Sequence, residues 1–118
     1  MPRNRNSDLM LEAYLRDIGK YPRITKQKEI ELGRIIEKGD KNNGYDNAVS
    51  DLVHGNLRLV VCYAKNYLGR GLDFMELISA GNTGLMRAVT KYKASFECKF
   101  STHAVRWISQ AIGRELAN

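Results

Sequence analysis

Apolar residues recur at helical spacing through most of this chain, and the stretch after residue 56 shows the pattern most clearly. Its apolar side chains are Leu57, Val60, Val61, Ala64 and Leu68. Intervals of three and four residues place these side chains on one face of an α-helix. Strand-type alternation is absent from the sequence, whose only prolines are Pro2 and Pro22. We therefore predict an all-α fold, with this stripe in the core of a compact helical bundle.

Turn-forming and capping residues predict where the earlier helices begin and end. Helical spacing starts near Ser7, and Gly19 is expected to end that helix in a left-handed conformation. Thr25 is expected to cap a second helix. The Gly- and Asn-rich run KGDKNNGYDN, residues 38–47, predicts the loop that ends the second helix.

A further helix is predicted after the GRGL break at residues 69–72. Asp73 and Glu76 have the D-x-x-E spacing of a capping box at its start. Gly81 and Gly84 within it predict a kink or the close approach of another group, with tight helix packing as the alternative.

Composition narrows the possible functions. The 118 residues are 43% apolar, enough for one modest core, and carry a net charge of +6. From Arg87 onward there are six Lys or Arg residues against two Glu residues, so an anionic partner is favoured. The basic N-terminus lacks the apolar run of a signal peptide, and no window has transmembrane length. We expect a soluble cytoplasmic protein without membrane contact.

Catalytic and metal-binding patterns are missing from the sequence. Cys62 and Cys98 have no CxxC partner and indicate a reducing compartment rather than a disulfide framework. His54 and His103 have no carboxylate or nucleophile at a recognisable spacing, and no phosphate-binding Gly loop occurs. We expect no enzyme activity, no catalytic residue, no cofactor and no metal site.

The segment KFSTHAVRWISQAIGR, residues 99–114, is the strongest functional signal. Ser101 and Thr102 are expected to cap its helix. Its planar or multi-donor side chains are those of Phe100, His103, Arg106, Trp107, Gln110 and Arg114. Arg106, Gln110 and Arg114 recur at intervals of four residues, so we expect them on one face of this helix. Stacking surfaces, amide groups and cations together favour a nucleic acid as partner. The alternative is an ordinary amphipathic helix with a core-edge Trp and solvated charges.

Two longer blocks resemble a known family. Residues 56–92, NLRLVVCYAKNYLGRGLDFMELISAGNTGLMRAVTKY, together with residues 99–114 closely resemble conserved region two of the sigma-seventy family of bacterial RNA polymerase initiation factors. Residues 12–40, EAYLRDIGKYPRITKQKEIELGRIIEKGD, resemble the preceding region one-point-two. The resemblance implies an N-terminal helical segment at 1–40 that packs on a region-two bundle at 41–118.

One implied surface binds core RNA polymerase. In the family, the block that corresponds to ELISAGN docks on a coiled coil of the largest polymerase subunit. The matching residues here are Glu76, Leu77, Ser79 and Asn82. Ser79 and Ala80 depart from the family pattern, which has Gln and Glu at these positions. The loss of one carboxylate is expected to weaken that contact by ~1–3 kcal/mol.

A second implied surface captures the non-template strand of the promoter minus-ten element. In the family, aromatic side chains hold flipped bases of the opened strand. Tyr92 matches a position of the adenine pocket, and Trp107 matches the second member of a Trp pair that abuts the last base pair. Here His103 and Arg106 replace a Tyr and a Trp, and Phe96 and Cys98 replace an Arg and a Tyr. Gln110 matches a residue that reads the upstream duplex edge.

The implied strand-binding set includes residues outside that helix. Asn56 and Arg58 match positions near the downstream flipped base, and Tyr14, Leu15 and Arg16 match a segment that touches the strand just downstream. The full DNA-binding set is Tyr14, Leu15, Arg16, Asn56, Arg58, Tyr92, Lys99, Phe100, Ser101, Thr102, His103, Arg106, Trp107, Gln110 and Arg114.

We expect an initiation-factor domain that binds core polymerase and melts the minus-ten element by capturing flipped bases. The main alternative is an interaction protein that occupies the polymerase without opening DNA, as a competitor or as one half of a split factor. A basic bundle that binds any nucleic acid is the third reading, and it leaves the ELISAGN block unexplained. An anti-sigma or partner factor is a further candidate partner.

Overall fold

The computed structural model describes residues 5–93 and 98–117, and the side chains among them from Asp8 onward. These residues form six α-helices and one short 3-10 turn, with no strand among them. The helices are α1 (Arg5–Ile18), α2 (Lys26–Lys38), α3 (Tyr45–His54), α4 (Leu57–Ala64), α5 (Phe74–Lys91) and α6 (Phe100–Ala117), and the 3-10 turn Lys65–Tyr67 follows α4. The predicted all-α fold is confirmed.

The start and end of α2 follow from its capping residues. The Thr25 hydroxyl accepts a hydrogen bond from the Lys28 backbone N–H at 3.1 Å, which confirms the predicted N-cap. Gly39 ends α2 with φ 67°, a left-handed conformation that favours glycine. The predicted loop is shorter than expected, because α3 begins at Tyr45 within the 38–47 run.

Two expectations about local structure are wrong. Gly19 follows α1 without a positive φ, so a turn with backbone bonds to Leu15 and Asp17 ends this helix. Leu68 is 49% exposed, because the chain leaves helical geometry after Tyr67 and turns its side chain away from the core. The GRGL break is confirmed, since Gly69 and Gly71 both have positive φ.

The centre of the bundle is the packing of α5 against α6, with α4 against both helices. The capping box at the start of α5 is present: Asp73 accepts from the Glu76 N–H at 2.8 Å, and Glu76 accepts from the Asp73 N–H at 3.4 Å. A Cβ on Gly81 would lie 2.6 Å from Val60 Cγ1, and one on Gly84 would overlap the Trp107 carbonyl. Tight helix packing therefore explains both glycines, and α5 continues through them.

The described helices include none that is both long and apolar enough to cross a membrane.

Candidate nucleic-acid interface

The N-terminus of α6 is satisfied by a residue of α2. The Phe100 backbone N–H donates to the Glu29 carboxylate at 2.7 Å. Because α6 already begins at Phe100, Ser101 and Thr102 lie within its first turn, and their predicted role as caps is wrong. The sequence alone could not reveal this role of Glu29, because 71 residues separate its carboxylate from the Phe100 N–H.

An aromatic row leads from the core to the surface along α6. Tyr92 contacts Phe100 edge to face, with ring centroids 5.1 Å apart, and lies 5.5 Å from the His103 ring. The His103 ring is in turn 6.2 Å from that of Trp107. His103 Nε2 donates to the Ala88 carbonyl at 3.0 Å, because a carbonyl oxygen can only accept. The row therefore runs from the buried Phe100 and Tyr92 past the His103 ring, which its hydrogen bond orients, to the half-buried Trp107.

The inner two members of this row are shielded from solvent. Phe100 is 0% and Tyr92 4% exposed, so in this conformation neither ring offers a face to a partner. Burial, followed by the charge of Glu29 and then of Cys98, raises the pKa of the Tyr92 hydroxyl, which donates to the Cys98 carbonyl at 3.4 Å. Both rings therefore lie beside the half-buried His103 ring on its inner side. Phe96 lies outside the described residues.

The other face of α6 is polar and open to solvent. Its exposed side chains are those of Thr102, Arg106, Gln110 and Arg114, with Lys99 exposed just before the helix and Ser101 half-buried. No carboxylate within residues 5–93 and 98–117 forms an ion pair with Arg106 or Arg114. The predicted face with Arg106, Gln110 and Arg114 at intervals of four residues is therefore formed, and its cations remain available to an anion.

Four of the predicted strand-binding residues lie on α1 or α4, namely Tyr14, Leu15, Arg16 and Arg58, and Asn56 directly precedes α4. Arg58 donates from Nη2 to the carbonyls of Gly19 and Tyr21 at 2.8 and 3.0 Å, so this guanidinium holds the connector after α1. Asn56 donates to the Leu52 carbonyl at 2.8 Å. Leu15 and Arg16 are exposed on α1. The sequence did not reveal the structural bonds of Arg58 and Asn56.

Tyr14 belongs to a contact between α1 and α5. Its hydroxyl accepts a hydrogen bond from Asn82 Nδ2 at 3.1 Å. Asn82 Oδ1 is buried and has no hydrogen-bond partner among the described residues. Asn82, one of the residues predicted to bind polymerase, is thus turned partly toward α1.

The remaining residues of the ELISAGN block divide between core and surface. Glu76 and Ser79 are exposed, whereas Leu77 is 0% exposed and packs in the core. Ala80 is buried, so a longer acidic side chain at this position would have to emerge from the α5 packing surface. The surface that α5 offers here is formed by Glu76, Ser79 and Thr83 together with Glu115 of α6.

An all-α bundle with basic and aromatic side chains along one helix has the chemistry of a nucleic-acid-binding protein, and comparison with known families identifies which kind. Residues 52–118 match the model of sigma-70 region 2, and residues 10–42 match that of sigma-70 factor region 1.2. The chain belongs to the sigma-70 family of RNA polymerase sigma factors. It is 44% identical over 108 residues to the RNA polymerase sigma factor SigA of Clostridium acetobutylicum. That match covers 92% of this chain and 27% of the relative, so the chain spans about a quarter of its length.

Proposed function

We propose that this chain acts in transcription initiation, by binding core RNA polymerase and capturing the non-template strand of the promoter minus-ten element. The observation that carries the proposal is the exposed face of α6. Arg106 and Gln110 are exposed there, four residues apart, beside the half-buried Trp107, whose ring lies 6.2 Å from the His103 ring. A cation, an amide and a stacking surface on one helix suit an opened strand.

Binding energy would drive the opening of DNA. Each base that stacks on an aromatic side chain contributes roughly 1–3 kcal/mol, which offsets the cost of unpairing it. Trp107 supplies the stacking surface, and Arg106 can stack against a base or bind its phosphate. Gln110 can pair with adenine through both atoms of its amide. The work is done by binding alone and needs no cofactor.

The polymerase would meet the start of α5. Glu76 presents its carboxylate to solvent, and Ser79 lies one turn further along the same helix. Against a basic coiled coil, Glu76 would form a charge-assisted contact. The division at residues 40 and 41 into an N-terminal segment and a region-two domain stays a prediction. Such a factor would work in the cytoplasm at the nucleoid.

A second candidate function is an interaction protein that occupies the polymerase but does not open DNA. The observation in its favour is the non-aromatic chemistry beside Trp107. Arg106 stands on the exposed face of α6 in place of a second indole, and Cys98 is exposed where the family has a Tyr. Anti-sigma or partner factors belong to this alternative.

The test measures binding of fluorescent single strands to core polymerase mixed with this chain. A minus-ten-like strand and a scrambled strand of equal length are compared at the same salt concentration. Trp107→Ala removes the stacking surface, and Gln110→Ala removes an exposed amide without touching the core. Tyr67→Ala, on the 3-10 turn, is the aromatic control.

Each outcome supports one function. Strand capture is supported if the chain binds the minus-ten strand more tightly than the scrambled strand. Trp107→Ala should then abolish this preference, and Tyr67→Ala should leave it intact. Polymerase binding with equal affinity for both strands supports the interaction protein instead. Equal binding of both strands without polymerase points to a bundle that binds any nucleic acid.

A further inference from the structure

A groove of about 300 Å³ lies between the start of α5 and the end of α6. Its lining residues are Glu76, Ser79, Ala80 and Thr83 of α5 and Glu115 of α6. All of these side chains except that of Ala80 end in oxygen, and none carries a positive charge. The groove therefore suits a group that donates hydrogen bonds.

The antiparallel packing of α5 and α6 brings Glu115 to this groove. Gly84 of α5 faces the Trp107 backbone, whereas Gly81, earlier in α5, faces Ile112, later in α6. The start of α5 consequently lies beside the end of α6, where Glu115 is exposed. Glu115 thus becomes part of a surface that otherwise belongs to α5.

Ala80 lies in this groove at the position where the family pattern has a glutamate. It carries only a methyl group and is 8% exposed, so it adds no charge to the surface. Glu115 lines the same groove from α6. The folded surface therefore regains, from a second helix, a carboxylate that the α5 sequence lacks.

Both carboxylates of the groove are available to a cation. No Lys or Arg among the described residues forms an ion pair with Glu76 or Glu115. Glu76 uses Oε1 to accept from the Asp73 N–H, at the long distance of 3.4 Å. The Thr83 hydroxyl donates to the Ser79 carbonyl at 3.3 Å, so its lone pairs can still accept a bond. The lining consequently offers acceptors from both helices.

Acceptors divided between two helices suit a guanidinium group. Arginine presents five N–H donors in one plane and can bond two carboxylates at once. A lysine ammonium is a more strongly hydrated point charge and gains less from such a divided set. Phosphate groups of DNA are unsuited to this groove, because they would meet two negative charges.

We infer that Glu115 is a further polymerase-binding residue, and that an arginine of the largest subunit of core polymerase binds between Glu115 and Glu76. The inference rests on the proposed function, in which the start of α5 meets a basic coiled coil. The groove is continuous with that surface, since Glu76 and Ser79 belong to both. The polymerase contact thereby keeps the charge that alanine at position 80 would otherwise cost it.

The test measures the affinity of the full chain, labelled with a fluorophore, for core polymerase by anisotropy at one salt concentration. Glu115→Gln should weaken binding about tenfold, the effect of losing one charge-assisted contact. Glu76→Gln should weaken it to a similar extent, and it retains an acceptor for the capping box. Glu37→Gln, which removes an exposed carboxylate of α2 outside the groove, is the control and should leave the affinity unchanged.

Returning the charge to α5 distinguishes a polymerase contact from a structural role of Glu115. Glu115→Ala should weaken binding, and adding Ala80→Glu to this variant should recover most of the lost affinity. A carboxylate that only stabilised the end of α6 could not be replaced from α5. As a measurement independent of this double variant, p-benzoylphenylalanine at position 115 should photocrosslink to the largest polymerase subunit, and at position 37 it should not.

The outcomes separate this inference from the proposed function. If Glu76→Gln weakens binding and Glu115→Gln does not, the role of Glu115 is overturned and the polymerase surface on α5 stands. A crosslink from position 115 to a different subunit, or a folded double variant that recovers no affinity, also overturns the inference. A chain that does not bind core polymerase at all would refute the proposed function, and the inference with it.

Discussion

The carboxylate of Glu29 links two helices that are distant in sequence. The first N–H groups of an α-helix have no partner within the helix, and an anion placed there is favoured by hydrogen bonding and by the helix dipole. Glu29 supplies that anion to α6 from α2. The helix that carries the proposed strand-binding face therefore begins on a partly buried bond to the N-terminal segment.

Replacing Glu29 by Gln should lower the free energy of unfolding by about 1 kcal/mol, because the bond to the Phe100 N–H loses its charge. Urea denaturation followed by circular dichroism measures the difference. Glu31→Gln, an exposed change on the same helix, is the control and should shift the midpoint much less. Equal midpoints for the two variants would contradict the capping role.

Tyr92 should make the protein sensitive to alkaline pH. Burial raises its pKa above the ordinary value of 10.0, so the folded state holds this proton more tightly than the unfolded state. Stability from this group is therefore complete below pH 10 and falls as the pH rises above it. The comparison is the free energy of unfolding of wild type and Tyr92→Phe at pH 8 and at pH 10.5.

The wild type should lose stability relative to Tyr92→Phe between these two pH values. Tyr21→Phe removes an exposed phenol and serves as the control for general effects of tyrosine loss. A wild type and a Tyr92→Phe variant that decline in parallel would show that the buried hydroxyl is not the titrating group.

Helices α5 and α6 form the rigid unit that positions the α6 surface. Gly84 lets the α6 backbone come within contact distance of α5, because a Cβ there would overlap the Trp107 carbonyl and lie 2.9 Å from Ala111 Cβ. The Trp107 backbone thus lies against α5, and the Trp107 ring lies 6.2 Å from the His103 ring on the same helix. Side chains on the opposite face of α6 remain free to meet a partner.

Gly84→Ala should destabilise the protein by about 1–3 kcal/mol, because the α5–α6 contact must open to admit a methyl group. Gly113→Ala is the matched control on α6, where a Cβ would meet nothing within 4 Å. This second change should stabilise by roughly 0.5–1 kcal/mol, since alanine is the better helix former. Thermal unfolding of both variants measures the opposite signs, and a stabilising Gly84→Ala would refute the tight contact.

The side chains of Tyr14, Arg58 and Glu29 form hydrogen bonds that link the N-terminal helices to the rest of the molecule. Tyr14 meets Asn82, Arg58 holds the connector after α1, and Glu29 caps α6. These contacts cross the predicted division at residue 40. The proposed strand path, from α6 past Asn56 to α1, consequently lies on segments joined to one another by hydrogen bonds.

The affinity for single-stranded DNA should fall with salt in proportion to the phosphates neutralised. Arg106→Gln should reduce the slope of log affinity against log salt by about 0.7, the value for one contact to a single strand. Fluorescence anisotropy with core polymerase between 50 and 200 mM salt gives these slopes. Lys26→Gln on α2 is the control and should leave the slope unchanged, and an unchanged slope for Arg106→Gln would remove this residue from the phosphate contacts.

Several local features could be predicted from the sequence because they depend on neighbouring residues. Thr25 and Asp73 cap helices through bonds to groups three positions away. The i, i+4 spacing of Arg106, Gln110 and Arg114 places them on one exposed face whatever the helix packs against. The prediction that Leu68 lies in the core is wrong, because the apolar spacing of the sequence continues to Leu68 whereas the helical backbone ends at Tyr67.

The sequence by itself determined the helical class, the N-caps of α2 and α5 and the composition of the α6 surface, since spacing and capping act within a few residues. Only the tertiary structure decided which predicted side chains reach solvent. Phe100, Tyr92 and Leu77 are buried by other helices, and Arg58 and Asn82 bond to groups on distant segments. Contacts between residues far apart in the chain depend on how the helices pack, and no local pattern encodes that packing.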